Sequence, residues 1–290
     1  MADAEFQVSK KGLSRTASLR EEVGDKIRDP TIFVSAAKRS RVPADLLTFT
    51  EHVSDATPRF DYHMEWDNLA VLRVRTYEYW IEQQVRRSVP RTVRKAQNAG
   101  IDVSVRPYSR DVARKLLEIF NETPVRRGRR YPYFGMGIEE IEAGWSPDAE
   151  QSVFLIAECD GEAVGFIKLL LTGTVASISG SVTKLAFRQS APMNALIAKS
   201  VEVSAERSIQ YLVYGRFEYA GQSDSGLTEF KEHNGFERVD IPRYYVPLSL
   251  RGRIILSMGL HHSLSTYLPR ALALQLKRLR EWTLMKALSR

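Results

Sequence analysis

Apolar runs in the second half of the chain follow the pattern of short strands. Residues 152–171 (SVFLIAECDGEAVGFIKLLL) form two such runs that meet at Asp160-Gly161. Asp-Gly between β-rich runs predicts a hairpin, because a type I′ turn needs two residues with positive φ. A third run at 174–181, a helical stretch at 193–207 and a short apolar run at 211–214 follow. The pattern predicts an antiparallel meander, then a helix, then another strand.

The first half is less regular. Residues 1–45 are polar with few aromatic side chains, which predicts a loosely ordered arm with one short helix at 17–27. Pro90 suits the first turn of a helix and Gly100 a helix end, so a helix is expected between them. The other predicted elements are strands at 46–53, 60–66, 69–74, 101–106 and 244–248, and helices at 77–87, 111–121, 138–144 and 268–288.

These elements suggest three parts along the chain. The arm at 1–45 precedes a domain at 46–250, and a basic amphipathic helical tail occupies 251–290. Leu272, Leu276, Leu279 and Trp282 of that tail would enter a membrane interface, or the leucines would pack on the domain core. The sequence is compatible with both interpretations.

Composition limits the class of protein. The chain has 290 residues, of which 43% are hydrophobic and 27% charged, as in globular proteins. It contains no apolar stretch near the ~20 residues that span a bilayer and no secretory signal pattern. Its single cysteine, Cys159, fits a reducing compartment. We therefore expect a cytoplasmic protein, in peripheral contact with the inner face of the plasma membrane if the tail binds lipid.

The net charge of +7 is concentrated in clusters, which indicates an anionic partner such as a phosphate-bearing donor, nucleic acid or a membrane surface. A purely solubilising surface is the alternative. The clustered residues are Arg86, Arg87, Arg91, Arg94 and Lys95; Arg126, Arg127, Arg129 and Arg130; and Arg270, Lys277, Arg278, Arg280, Lys286 and Arg290.

Two passages carry a family resemblance. The element order over 152–248, closing with FKEHNGF at 230–236, resembles the second half of a GNAT-type acyltransferase. The basic passage RRSVPRTVRKAQNAGIDV at 86–103 is similar to one in the FemABX branch, which contains aminoacyl and peptidyl transferases of cell-wall synthesis. The resemblance implies an α+β fold with a mixed, mainly antiparallel sheet flanked by helices. It also implies a partial or degenerate N-terminal GNAT-like portion and a C-terminal helical tail.

One departure from the family bears on the acyl donor. Enzymes of the family that use acyl-CoA usually carry a glycine-containing loop whose backbone N–H groups hold the pyrophosphate before the long helix. The corresponding stretch, RQSAPMNA at 188–195, has no glycine, and Pro192 lacks an N–H. Arg188 could supply charge there. This favours either another donor than acyl-CoA, such as aminoacyl-tRNA, or a loss of catalysis.

Acyl transfer to an amine needs a base and a group that stabilises the oxyanion. In the loop after the 211–214 strand, Glu218 is a candidate base or acceptor anchor and Tyr219 a candidate proton donor, with Arg216 beside them. Lys231 is a candidate for stabilising an oxyanion or a phosphate. A polar surface loop and a solvated helix lysine are the structural alternatives.

The loop RRGRRYPYF at 126–134 mixes guanidinium groups with aromatic rings. Arginine binds phosphate in a bidentate manner and tyrosine can stack on a base, so this loop suits a phosphorylated or lipid-linked acceptor, or RNA. A disordered basic loop is the alternative. The candidate substrate-binding residues are Arg91, Arg94, Arg126, Arg127, Arg129, Arg130, Tyr131, Arg188 and Arg216. The five histidines show no metal-binding spacing, so no metal site is expected.

The sequence thus predicts a FemABX-like acyltransferase that acts on an amine of a cell-envelope or polysaccharide precursor. One alternative is an acyl-CoA-dependent N-acetyltransferase of a small molecule. Another is a catalytically silent GNAT-fold protein that binds a phosphorylated ligand or a membrane. The expected co-substrate is acyl-CoA or aminoacyl-tRNA, and the expected partners are a phosphorylated or lipid-linked acceptor, tRNA and anionic membrane.

Overall fold

The computed structural model describes residues 6–11, 13–19, 29–126, 128–219 and 226–262. Its strands are β1 (Phe6–Lys11), β2 (Ser14–Leu19), β3 (Leu46–Thr50), β4 (His63–Arg73), β5 (Asp102–Arg106), β6 (Val125–Arg126), β7 (Arg129–Arg130), β8 (Ser152–Cys159), β9 (Glu162–Thr172), β10 (Val175–Thr183), β11 (Tyr211–Arg216) and β12 (Glu237–Pro247). Its α-helices are α1 (Pro30–Arg39), α2 (Tyr77–Tyr79), α3 (Val89–Asn98), α4 (Arg110–Phe120), α5 (Ile138–Trp145), α6 (Pro192–Glu206), α7 (Gly226–His233) and α8 (Leu250–Ser257).

The predicted fold class is confirmed: the protein is mixed α+β, with mainly antiparallel sheet flanked by helices. The chain divides into two compact units. The first unit takes its described residues from 1–69, 216–223 and 238–273, and the second from 70–215 and 224–237.

In the first unit the strand order is β1-β2-β3-β12-β4. Strand β3 pairs antiparallel with β12 and parallel with β2. Its core includes Phe49 and Tyr244, whose ring centroids lie 5.1 Å apart, and the buried Val34 and Ala37 of α1. Asp29 caps α1 by accepting a hydrogen bond from the Thr31 N–H. The described part of 1–45 is thus regular strand and helix where a loosely ordered arm was predicted, because its apolar residues have a core to pack on.

The second unit has the strand order β11-β10-β9-β8-β5. Helices α4 and α5 pack on this sheet through Phe120, Ile141 and Phe166, all fully buried. The predicted hairpin is confirmed: Asp160 and Gly161 join β8 to β9 with φ values of 49° and 83°. The structure therefore contains the predicted meander β8-β9-β10, followed by α6 and β11.

Several element boundaries differ from the predictions. The helix expected over 77–87 is one α-helical turn, α2, continued by a π-helical turn at Trp80–Gln84. The two strands expected at 60–66 and 69–74 are the single strand β4, and the last strand starts at Glu237. None of the helices in the described ranges is long and apolar enough to cross a membrane. The helix predicted at 268–288 lies outside the described residues.

Candidate active site

The candidate site lies where the parallel strands β10 and β11 stop pairing with each other. Strands β10 and β11 pair at three positions only, from Val175–Tyr211 to Ser177–Val213, although β10 continues to Thr183 and β11 to Arg216. Just beyond the last pair, the register of β10 against β9 shifts between Ile178 and Gly180. A bulge of this kind bends the strand that carries it. The pairing of the two strands therefore ends at Ser177–Val213, although both strands continue beyond it.

Two hydroxyl groups meet beyond the last paired position. The Ser181 Oγ of β10 lies 3.2 Å from the Tyr214 Oη of β11, a hydrogen-bond distance. Both side chains are half-buried. A phenol held by a second hydroxyl can either donate or accept a proton, so this pair can serve a reacting oxygen or nitrogen at the parted strands.

Lys231 completes the group. Its ammonium nitrogen lies 5.0 Å from the centre of the Tyr214 ring, and the residue has no exposed surface. Burial lowers the pKa of Lys231 to about 8. A lysine with this pKa exchanges its proton close to neutral pH, which an ordinary surface lysine does not. Sequence reasoning named this residue, but its burial is a finding of the structure.

The end of α7 explains how Lys231 is held. The Phe236 N–H donates to the Lys231 carbonyl and the Gly235 N–H to the Glu232 carbonyl, the two bonds of a Schellman motif. Gly235 takes the required left-handed conformation with φ of 83°. The adjacent Asn234 carbonyl accepts a hydrogen bond from the buried Trp80 indole at 2.9 Å. The closing FKEHNGF passage is therefore locked onto the π-helical turn.

The loop before α6 does not present a free set of amides. The N–H groups of Arg188, Ser190, Ala191 and Asn194 each donate to a carbonyl three residues earlier in this stretch. Pro192 begins the helix without an N–H, and Ala191 caps it in the left-handed region with φ of 54°. The Arg188 side chain is exposed. The backbone donors that would cradle a pyrophosphate are largely engaged within the loop itself.

Three of the predicted site residues lie in the first unit. Glu218 forms an ion pair with Arg238 at 3.0 Å, and its N–H donates to Asn68. Arg216 forms an ion pair with Asp67 at 3.0 Å. Burial alone would raise the pKa of Asp67, but the charges of Arg243 and Arg216 outweigh it and hold the pKa below its ordinary value. Tyr219 is exposed. Structural contacts thus account for Glu218 and Arg216.

The RRGRRYPYF loop separates into a packed part and an open part. Arg126 bonds to Glu122 and to the Thr183 carbonyl and lies over the Tyr131 ring. Tyr131 is buried in the α4–α5 core, and burial raises its pKa. These two side chains therefore stabilise the loop instead of presenting themselves to an acceptor. Arg129 and Arg130 are exposed on β7.

The remaining predicted arginines lie elsewhere in the second unit. Arg91 and Arg94 are exposed on α3, whose opposite face buries Val89, Val93 and Ala96. Arg127 lies outside the described residues. The sequence did not single out Ser181. A signal was present, because hydroxyl residues occupy alternate positions from Ser177 to Thr183, but the bulge changes which face they take.

Comparisons with known proteins concern the family and the fold. The family model for the acetyltransferase (GNAT) domain matches residues 83–232, more than half of the chain. The structure is similar to the C-terminal domain (DUF2156) of a protein named as a lysylphosphatidylglycerol synthetase from Agrobacterium fabrum, with a TM-score of 0.57 and 13% identity over 88% of this chain and 84% of that one. It is also similar to L-PGS from Bacillus licheniformis, with a TM-score of 0.55 and 16% identity over 88% and 84%.

A third similar structure is FemX, with a TM-score of 0.50 and 12% identity over 81% of this chain and 72% of that one. No curated protein matches the sequence. At these identities the structural likeness concerns the fold, and the fold is the one expected for a FemABX-like branch.

Proposed function

We propose, since this chain belongs to the acetyltransferase (GNAT) domain family, that it is an acyltransferase moving an aminoacyl group onto an amine of a cell-envelope or polysaccharide precursor. The observation that carries the proposal is Lys231, fully buried, with a pKa of about 8, next to the Tyr214–Ser181 pair where β10 and β11 part. Proton transfer to and from the reacting groups is the chemistry that this arrangement supports.

The donor is argued from the loop before α6. Acyl-CoA binding in this family depends on backbone N–H groups of the loop and the helix start, and here four N–H groups, three in the loop and one in the first turn of α6, already have acceptors. Two similar structures are called lysylphosphatidylglycerol synthetase and L-PGS, and the first name describes a lysyl group joined to a lipid. Both observations favour an aminoacyl ester, aminoacyl-tRNA, as donor.

In the proposed reaction the acceptor amine attacks the ester carbonyl of the donor. Neutral Lys231 takes the proton that the attacking nitrogen loses, and the Tyr214 hydroxyl donates a proton to the departing ester oxygen. Ser181 positions the Tyr214 hydroxyl. An amide C–N bond forms, the ester C–O bond breaks, and the tRNA leaves with a free hydroxyl.

The proposed acceptor carries phosphate or is linked to a lipid. Arg129 and Arg130 are exposed together on β7 and can bind a phosphate through charge-assisted hydrogen bonds. The exposed Arg91 and Arg94 of α3 suit the backbone of tRNA. Each assignment is separable by mutation.

The test compares the two donors on the purified full chain. We expect mixed aminoacyl-tRNA to bind and to transfer its labelled amino acid to a nucleotide-linked peptidoglycan precursor, with the rate rising with pH through about 8 as Lys231 loses its proton. We expect acetyl-CoA to show no binding by calorimetry. A dissociation constant for acetyl-CoA at or below about 10 µM would instead establish the acyl-CoA-dependent enzyme. If neither aminoacyl-tRNA nor acetyl-CoA supports turnover, the result would favour the catalytically silent protein.

A pair of variants tests the tRNA surface. Replacing Arg91 and Arg94 with glutamine should weaken aminoacyl-tRNA binding and reduce the salt dependence by about two phosphate contacts. Arg114→Gln is the matched control, since Arg114 is an exposed arginine on α4 of the same unit. Equal losses in both variants would show that the effect is general electrostatics.

A further inference from the structure

Four side chains with metal-ligand chemistry converge in the first unit. His63 and Glu65 are two residues apart on β4 and therefore project from the same face. His261 and His262 follow α8. The Nε2 atoms of His63, His261 and His262 lie 3.2, 2.9 and 3.2 Å from the Glu65 Oε1. Three imidazoles thus meet at one carboxylate.

We propose that His63, Glu65, His261 and His262 form a four-ligand site for a divalent transition metal of the zinc class. The ligand atoms of His63, Glu65 and His261 all lie within 4.8 Å of one another. Metal–ligand bonds of about 2.0–2.1 Å in a tetrahedron place neighbouring ligand atoms about 3.3 Å apart. The distances from the three imidazoles to the carboxylate are close to that value. His262 contacts Glu65 but lies outside the group of mutually close ligand atoms, so its ring must turn toward the other two imidazoles to complete the site.

The charges around the carboxylate favour a cation. Among the described residues, Glu65 forms ion pairs with His63, His261 and His262 and with no lysine or arginine. The Glu65 carboxylate therefore has no partner among them that is always positively charged. A divalent ion would supply that charge and would replace three imidazole contacts to one carboxylate by four metal–ligand bonds.

His261 is held in place by its surroundings. His261 is 4% exposed, and its ring centre lies 4.7 Å from that of Tyr245. The His261 Nδ1 atom is buried and lacks a hydrogen-bond partner among the described residues. The Nε2 atom therefore carries the polar contact of this ring, and it points at Glu65. The side chains of His63 and His262 are 45% and 35% exposed, which leaves a path for the ion to enter.

The ligand set identifies the class of metal. Imidazole with carboxylate suits zinc and its first-row neighbours, whereas magnesium and calcium prefer oxygen ligands throughout. Four protein ligands are characteristic of a structural site, which keeps no open position for substrate. The ion would therefore join the start of β4 to the residues that follow α8.

The test uses the untagged full chain after chelator treatment. Titration with zinc chloride should give one ion per chain with a higher melting temperature, and magnesium should not reproduce it. Cobalt(II) should give the intense visible bands of four-coordinate geometry. The double variant His63→Gln, His262→Gln, at the two more exposed ligands, should weaken zinc binding about 100-fold or more. Glu65→Gln should lose the cobalt bands.

His233→Gln is the matched control, because it removes a histidine outside the cluster and should keep one zinc per chain. Circular dichroism of the double variant confirms that it is folded. The proposal is overturned if the wild-type chain takes up no stoichiometric zinc, since the cluster is then only a set of hydrogen bonds. It is equally overturned if the folded double variant binds zinc as tightly as wild type.

Discussion

Two buried lysines of the second unit face opposite electrostatic conditions. Lys184 has a side chain 8% exposed, and its ammonium lies 2.7 Å from both the Glu118 and Glu162 carboxylates. Burial would lower its pKa, but these two partners outweigh burial and raise it. Lys231 is fully buried, and burial lowers its pKa to about 8. Lys184, which bridges α4 and β9, and Lys231, the proposed proton-transfer group, thus differ in the direction of their pKa shifts.

The largest expected difference between them is in turnover. Lys231→Met removes the proton-transferring group and keeps the volume, so aminoacyl transfer should fall by about 10²–10⁴-fold. Lys184→Met should leave transfer within a few-fold of wild type. Labelled aminoacyl-tRNA measures both variants under the same conditions. Equal losses of activity in the two variants would contradict a specific role of Lys231 in proton transfer.

The pH dependence of stability should differ as well. Because the pKa of Lys231 falls from 10.5 to about 8 on folding, the folded state holds its proton less tightly, and the charge destabilises the fold by up to about 3 kcal/mol below pH 8. Lys231→Met should therefore raise the free energy of unfolding at pH 7, and the gain should vanish as pH rises from 8 to above 10.5. Urea denaturation at several pH values measures it. A gain that is independent of pH would contradict the assignment.

Two glycines, Gly161 and Gly235, allow the cost of backbone strain to be compared with the cost of a steric clash. Gly161 and Gly235 share a φ of 83°, but a Cβ on Gly235 would lie 2.9 Å from the Gln84 carbonyl oxygen, whereas one on Gly161 meets nothing within 4 Å. Gly235→Ala should cost about 2–3 kcal/mol and Gly161→Ala about 1 kcal/mol. Since Gly235 holds the end of α7, its variant should also lose transfer activity. Equal costs would mean that the Gln84 contact relaxes.

The smallest expected effect is the stability of Lys184→Met. The Glu118 and Glu162 side chains are 45% and 48% exposed, so water solvates them when the lysine is gone, and the loss should be about 1 kcal/mol. Because the partners raise the pKa of Lys184, its stabilisation is present at neutral pH and is lost only as pH rises above 10.5. Thermal unfolding at pH 7 and pH 11 checks this. A larger loss at the higher pH would contradict the sign.

Local signals predicted some of these features and not others. The Asp160-Gly161 hairpin was predicted, because it depends on residues with positive φ, whereas the helix end at Gly235 was not singled out, although it depends on the same property of glycine. The burial of Lys231 was not, since Glu229 and Glu232 beside it give α7 a polar pattern, and the Trp80 indole that bonds to the nearby Asn234 carbonyl comes from distant sequence. The Ser181–Tyr214 pair depends on a bulge that alternation alone does not reveal.

The histidine cluster is a second example of a feature that local sequence patterns do not reveal. His63 and His261 are almost 200 positions apart, so no spacing rule could join them, and the sequence predicted no metal site. The fold class followed from the resemblance of the element order over 152–248 to a known family, and the elements that carry the resemblance were locally encoded. Sites made by distant segments follow only when the pairing of strands is known.

During synthesis, strand β3 emerges from the ribosome long before β12, the strand with which it pairs antiparallel. Residues 46–50 leave the ribosome with Leu46, Leu47 and Phe49 destined for the core, but their antiparallel partner spans residues 243–247. At about 5–20 residues per second, the nascent chain carries this apolar strand for roughly 10–40 seconds before its partner exists. During this time β2 can pair with one edge of β3 while the other edge lacks its partner, whereas all three strands of the β8-β9-β10 meander of the second unit emerge within about 30 residues of one another.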